Sequence, residues 1–396
     1  MSPPLARGSG PRRDTVLLTG RGSFGRVPGL SEGRRVLVVA SSRALLRAPV
    51  AAWLPPDAVT FTAFHPNPTV AQGVEAARLR RASGADLVVG IGGGSALDVA
   101  KAARVLPGDA GAADEVIAGR RPVPEGVPEL LLVPTTAGTG SEVTQFATLY
   151  RGHRKVSLDT PAARADVAVV DPELTETCPA DLTWTCAFDT LAHAVESLWS
   201  VRSTTESREH AVAALRSSLP VLRCAGDLPS PAERDALSRA ATLAGQAIDL
   251  TRTTAAHALS YPLTAHLGIP HGLACALNLA WLAPLVEAAG PERVTDPRGH
   301  AAVREAVGTL RELFGADEQG TDLAGALRAL LARRASFPYA GAPDAPYDLL
   351  VAEGLSSDRM SGMPVRLERH EARAGLETVL GAGTERKRGT TCATTG

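Results

Sequence analysis

The chain has 396 residues, too many for one ordinary hydrophobic core, so two domains are expected. A formal net charge of −1, with 44% hydrophobic and 21% charged residues, argues against a basic nucleic-acid-binding face or a polybasic membrane-binding stretch. No apolar run approaches the ~18 residues of a membrane span, and no apolar segment follows the basic N-terminus to make it a secretory signal.

The five cysteines (Cys178, Cys186, Cys224, Cys275 and Cys392) are widely spaced and form no CxxC. Neither a disulfide framework nor a cysteine-based zinc site is therefore indicated. The expectation is a cytoplasmic protein with free thiols and no nucleic-acid or membrane partner. A homo-oligomer is left open.

In chain order, residues 35–40 (RVLVVA) read as a buried parallel strand and residues 71–83 as an amphipathic helix. Residues 86–91 (DLVVGI) are a second strand. It runs into Gly92, Gly93, Gly94 and Ser95, and then into a helical ALDVAKAARVL. Strand, glycine loop and helix together present backbone N–H groups and a positive dipole end to a phosphate. Ser95 is expected to cap the helix. The spacing is not GxGxxG, and such a loop can equally be a tight turn.

Residues 129–133 (ELLLV) form a third strand leading into PTTAGTGSEVT, which carries five hydroxyl side chains and two glycines. Ligands bind at the carboxyl ends of strands in an α/β sheet, and two such loops after two strands favour a ligand over helix capping. Residues 166–170 (DVAVV) close this half, with a boundary near residue 175. From residue 180 the pattern is helical: 187–200, 206–223, 231–250, 254–261 (ending at Pro262), 271–289 and further segments to about 380. Residues 1–175 thus read as a dinucleotide-binding α/β domain and 176–380 as an all-α domain. The tail 381–396 and the first dozen residues read as disordered. No internal repeat is evident.

The helix at 187–200 (AFDTLAHAVESLWS) places Asp189 and His193 four residues apart on one face. Either a shared divalent cation or a buried Asp–His hydrogen bond fits that pair. His257, in TTAAHALSYPLT, and His271, in GIPHGLACAL, also lie in apolar helical segments and favour the cation. One carboxylate and three imidazoles suit Fe(II) or Zn(II), whereas Mg(II) would want more oxygens. Such an ion, with a position left open, would act as a Lewis acid on a carbonyl or alkoxide oxygen. His65, His153, His210, His266, His300 and His370 read as ordinary core or surface residues, with His266 near the site.

The segments GGGSALDVAK, VPTTAGTGSEVT, FDTLAHAVES and HALSYPLT…IPHGLACAL, in this order, resemble the iron-dependent (group III) alcohol dehydrogenases over roughly residues 15–380. The resemblance implies an α/β N-terminal dinucleotide-binding domain plus an all-α C-terminal metal-binding domain, the dehydroquinate synthase-like fold, and hydride transfer from NADPH or NADH. It makes Asp189, His193, His257 and His271 the ligands of Fe(II) or Zn(II). Gly92, Gly93, Gly94 and Ser95 would hold the pyrophosphate. Thr135, Thr136, Thr144, Phe146 and Lys155 would line nicotinamide and ribose, and Asp98 matches the family's aspartate.

Two departures stand out. Tyr261 occupies the place of a histidine that many members carry four residues after the third ligand, and it would donate a hydrogen bond there instead. Ala40-Ser41-Ser42-Arg43 replaces the acidic residue of NAD-preferring members, which tilts the reading toward NADPH or dual use. Arg252, just before His257, would hold an anionic substrate group, or else form a salt bridge elsewhere. TRTTAAHALSYPLT…GIPHG, ESLWS and DRMSGMPVRL look most like the phosphonoacetaldehyde reductase branch, which makes 2-hydroxyethylphosphonate in phosphonate biosynthesis. The expected function is reduction of a small anionic aldehyde. A broad-specificity alcohol dehydrogenase is the alternative, and a dehydroquinate-synthase-like cyclase comes behind it.

Overall fold

The computed structural model describes residues 14–152, 154–316, 322–334 and 344–381. The chain up to Thr136 together with Ser141–Glu176 makes one compact unit; Ala137–Gly140 and the chain from Thr177 make the other. The terminal segments expected to be disordered, other than Gly381, lie outside the described residues, as do His153 and Cys392.

The first unit contains strands β1 (Val16–Thr19), β2 (Val36–Ala40), β3 (Val59–Phe61), β4 (Leu87–Gly92), β5 (Glu129–Pro134), β6 (Phe146–Arg151), β7 (Arg154–Asp159) and β8 (Val167–Val170). Its longer helices are α4 (Val70–Ser83), α5 (Gly94–Val105) and α6 (Ala110–Ile117), after the short α1 (Val27–Ser31), α2 (Ser42–Leu45) and α3 (Ala48–Trp53). Six strands form a parallel sheet in the order β1-β8-β5-β4-β2-β3. Its middle strands are continuous runs of Val, Leu and Ile because both faces are covered. The register pairs Ala40 with Ile91 and Gly92 with Pro134, so the carboxyl ends of β2, β4 and β5 finish side by side.

The strands expected at 35–40, 86–91, 129–133 and 166–170 and the helix expected at 71–83 are present. β1 and β3 are edge strands of four and three residues, too short to show a pattern. The chain after the Thr-rich loop forms the antiparallel hairpin β6–β7. Ser95 does not cap α5: the N-cap is Gly93, and no side chain caps that helix.

The second unit is built of α7 (Ala180–Trp199), α8 (Thr205–Cys224), α9 (Pro231–Thr251), α10 (Ala255–Leu267), α11 (His271–Glu287), α12 (His300–Phe314), α13 (Leu323–Arg334), α14 (Tyr347–Leu355) and α15 (Arg369–Gly381). Its described residues hold no strand pairing beyond one isolated bridge, Val294–Val365. α7 is buried without interruption from Ala187 to Trp199. α10 does not stop at Pro262 but runs on to Leu267. An interior proline costs about 3 kcal/mol. Here Pro262, Leu259 and Leu263 are buried in the core, which offsets that cost.

Gly272, at the start of α11, meets α7 backbone to backbone. A Cβ there would lie 2.0 Å from the Thr185 carbonyl oxygen and 2.9 Å from the Asp189 nitrogen. Only glycine allows this approach, which sets His271 beside Asp189. Gly272→Ala is expected to destabilise the protein by about 1–3 kcal/mol, read from thermal unfolding followed by circular dichroism. An unchanged melting temperature would contradict this packing.

Candidate functional site

α7 presents Asp189, His193 and Glu196 at positions i, i+4 and i+7, on one buried face. α10 brings His257 and α11 brings His271. The Asp189 Oδ1 lies 3.3 Å from His257 Nε2, and 3.7 Å from both His193 Nε2 and His271 Nε2. Donors about 2.1 Å from one cation and at a tetrahedral angle to each other stand about 3.4 Å apart. Asp189 therefore stands at roughly that spacing from each of the three imidazoles, and the donor atoms that all lie within 4.8 Å of one another are those of Asp189, His257, His271 and Cys275, a group that does not include His193.

The tautomers fit as well. His257 Nδ1 hydrogen-bonds Glu196 Oε2. Ser260 Oγ donates to the His257 carbonyl (2.8 Å), which leaves its oxygen to accept from His271 Nδ1 (3.2 Å). In the neutral imidazoles both arrangements leave the lone pair on Nε2, on the side of Asp189. The His193 ring stacks on His257, with centroids 4.6 Å apart. Its buried Nδ1 has no hydrogen-bond partner among the described residues.

Electrostatics favour a positive charge at this point. Burial raises the Asp189 carboxyl, but the three histidines outweigh it and hold it below the usual carboxylate range. Burial works against charge on His257, yet Cys275, Glu196 and Asp189 raise it well above its ordinary value. Burial, together with His257 and His271, pushes His193 down to about 4 against the pull of Asp189. The His271 side chain is 35% exposed whereas those of the other three are buried, so the cluster opens on the His271 side. The half-buried Tyr261 ring stacks there, 5.7 Å from the His271 ring.

Glu196 was not among the residues singled out from sequence. Its side chain is wholly buried. Its Oε1 accepts from Thr254 Oγ1 (2.6 Å), the Ala256 nitrogen (2.7 Å) and the His257 nitrogen (3.4 Å). Burial pushes its carboxyl up, but His257 and Thr254 hold it below its ordinary value. The turn into α10 is pinned further by Trp199 Nε1 on Thr254 Oγ1 (3.1 Å) and by Ser197 and Thr251 hydroxyls 3.0 Å apart. Arg252, half-buried in this turn, has φ +64° and ψ 174°. A non-glycine residue in that region stores about 1–3 kcal/mol of strain.

In the first unit, Gly92, Gly93, Gly94 and Ser95 bridge β4 to α5, next to Thr135 and Thr136 beyond β5. The Thr135 nitrogen donates to the Gly92 carbonyl (2.9 Å). A Cβ on Gly93 would lie 3.4 Å from Thr136 Oγ1, and one on Gly92 would lie 3.7 Å from Ser41. An uncapped helix N-terminus beside three strand ends is a place for an anion.

Asp98 and Thr144 are engaged differently. Buried Lys101, also not singled out, donates to Ser141 Oγ (2.9 Å), Thr144 Oγ1 (2.9 Å) and the Phe146 carbonyl (2.8 Å). Asp98 accepts from Ser141 Oγ (2.8 Å) and the Thr148 nitrogen (3.0 Å). Burial raises the Asp98 carboxyl despite Lys101. These side chains shape the loop that leads to Phe146. Lys155 faces Tyr150 across the β6–β7 hairpin.

The remaining described histidines lie elsewhere. His266 pairs with Glu353 (2.9 Å), His300 bonds the Ala289 carbonyl (3.1 Å), His210 lies beside Glu206, and His65 and His370 are exposed.

Residues 14–172 match the family described as iron-containing alcohol dehydrogenase, and residues 183–370 match the C-terminal domain of the same family. The chain belongs to the iron-containing alcohol dehydrogenase family. It is an oxidoreductase of the alcohol dehydrogenase and aldehyde reductase class. It is 38% identical to the phosphonoacetaldehyde reductase of Streptomyces viridochromogenes over 317 residues, 77% of this chain and 79% of that one. It is 37% identical to long-chain-alcohol dehydrogenase 1 of Geobacillus thermodenitrificans over 240 residues, 60% of each chain. The structure of sulfoacetaldehyde reductase from Bifidobacterium kashiwanohense, in complex with NAD+, superposes with a TM-score of 0.79 at 26% identity, covering 93% of this chain and 97% of that one. Among the described residues no helix is long and apolar enough to cross a membrane.

In this member of the iron-containing alcohol dehydrogenase family, replacing Glu196 removes the anion that orients His257. Glu196→Gln is expected to weaken divalent-cation binding about 10- to 100-fold, measured by competition with a chromogenic chelator. Unchanged affinity would show that His257 holds its orientation without that carboxylate.

Proposed function

We propose that the chain reduces a small anionic aldehyde to its alcohol with NADPH or NADH, and that phosphonoacetaldehyde, giving 2-hydroxyethylphosphonate in phosphonate biosynthesis, is the substrate. The observation that carries the substrate is the 38% identity to a phosphonoacetaldehyde reductase across 77% of the chain. The structural likeness to a sulfoacetaldehyde reductase, whose named substrate is also an anionic two-carbon aldehyde, supports the same class.

Asp189, His193, His257 and His271 would hold Fe(II) or Zn(II), and Gly92, Gly93, Gly94 and Ser95 the cofactor's pyrophosphate at the N-terminus of α5. When bound, the cation supplies Lewis acidity to a carbonyl oxygen and the nicotinamide supplies hydride. The chain's own work is orientation. Glu196 and Ser260 set the imidazole tautomers, and Lys101 with Asp98 holds the loop to Phe146 in shape. Tyr261 offers a hydroxyl on the open side of the cluster. Arg252, fixed in its strained turn, would hold the phosphonate by a charge-assisted pair. No carboxylate follows β2: Ser41 caps α2, and Arg43 is exposed. That favours tolerance of a 2′-phosphate.

A broad-specificity alcohol dehydrogenase is the second reading, supported by the long-chain-alcohol dehydrogenase relative. The test follows the near-ultraviolet absorbance of NADPH and NADH with metal-loaded protein, comparing phosphonoacetaldehyde with acetaldehyde and butanal. Strong preference for phosphonoacetaldehyde is expected. Equal or faster reduction of the neutral aldehydes would discard the phosphonate reading, and no oxidation of either cofactor would discard the reductase. Arg252→Ala is expected to raise KM for phosphonoacetaldehyde about 10- to 100-fold, the loss of a hydrogen-bonded charge, with little change for butanal. Equal effects on both would remove Arg252 from the substrate site.

A further inference from the structure

We propose that Cys275 supplies a further donor, a thiolate, to the cation held by Asp189, His193, His257 and His271. The proposal rests on reading that cluster as a metal site. Cys275 follows His271 by one turn of α11 and is fully buried. Its Sγ lies 3.9 Å from His271 Nε2. One ligand atom each from Asp189, His257, His271 and Cys275 all fall within 4.8 Å of one another. With five donors on one ion, a thiolate at about 2.3 Å and an imidazole nitrogen at about 2.0 Å stand about 3.0–3.7 Å apart. The observed separation closes to that range with a movement of a few tenths of an ångström.

A buried free cysteine ordinarily behaves as a small hydrophobe. This one is turned toward two imidazoles instead. Metal uptake would break the S–H bond, release the proton to solvent and form the sulfur–metal bond. Mixed N, O and S donors suit a borderline-soft ion and not Mg(II). Among the described cysteines, Cys275 belongs to this donor cluster and Cys178, Cys186 and Cys224 do not.

The test loads the metal-stripped full chain with Co(II) and records its absorption spectrum. Visible d–d bands together with a near-ultraviolet thiolate-to-cobalt charge-transfer band are expected in the wild type. Cys275→Ser is expected to lose the charge-transfer band and keep the d–d bands. If the wild type shows d–d bands alone, or if Cys275→Ser retains the charge-transfer band, Cys275 is not a ligand and the metal site stands without it. Absence of all cobalt bands would fell the metal reading itself and this proposal with it. Should the variant not fold, zinc-edge X-ray absorption of the Zn(II)-loaded wild type decides. A sulfur scatterer at about 2.3 Å is expected, and a shell of nitrogen and oxygen alone overturns the proposal.

Discussion

The carboxylate of Glu196 is the contact on which the second unit's site depends. Removing a carboxylate from water costs several kcal/mol unless its lone pairs are met. Here they are met by the Thr254 hydroxyl, two backbone N–H groups at the start of α10 and the His257 ring. One buried anion on α7 thus caps α10 from outside. It satisfies N–H groups that Thr254, the N-cap residue, leaves without a side-chain cap. It also turns His257 so that Nε2 meets Asp189. The strained turn at Arg252 persists because Ser197, Trp199 and Glu196 over-determine its flanks.

The first unit uses the opposite charge in the same way. Lys101 reaches from α5 to the segment after β5 and satisfies three oxygens there. The glycine loop and the Thr-rich loop are then adjacent because β4 and β5 pair in register as far as Gly92 and Pro134. In each unit a buried charge placed on a helix positions a neighbouring turn, and the turn carries the residues with chemistry.

Much of this was legible in the sequence wherever burial imposes a simple pattern. The runs RVLVVA, DLVVGI, ELLLV and DVAVV gave the central strands, because strands covered on both faces are continuously apolar. The family segments carried the fold and the class of reaction. β1 and β3 escaped because three or four edge residues make no pattern. The β6–β7 hairpin escaped because only Ala147 and Leu149 in β6 and Leu158 in β7 are buried. α10 passed Pro262 because core packing outweighs local preference.

For the site, Asp189, His193, His257 and His271 converge in space, and the sequence had singled out all four. Glu196 and Cys275 were missed although the signal was present. Glu196 is seven residues from Asp189 and three from His193, and Cys275 is four from His271, all helical spacings on one face. Lys101, three residues after Asp98 on the same helix, was legible in the same way. Their partners, Thr254, Ser141 and Phe146, are set by tertiary packing and could not be read from spacing.

The most direct measurement is a calorimetric titration of Zn(II) into metal-stripped protein, run on the wild type and on Asp189→Asn. A single saturable site per chain, lost in Asp189→Asn, is the predicted result. No saturable binding to the wild type, or binding undiminished in the variant, would contradict a cation centre built on Asp189.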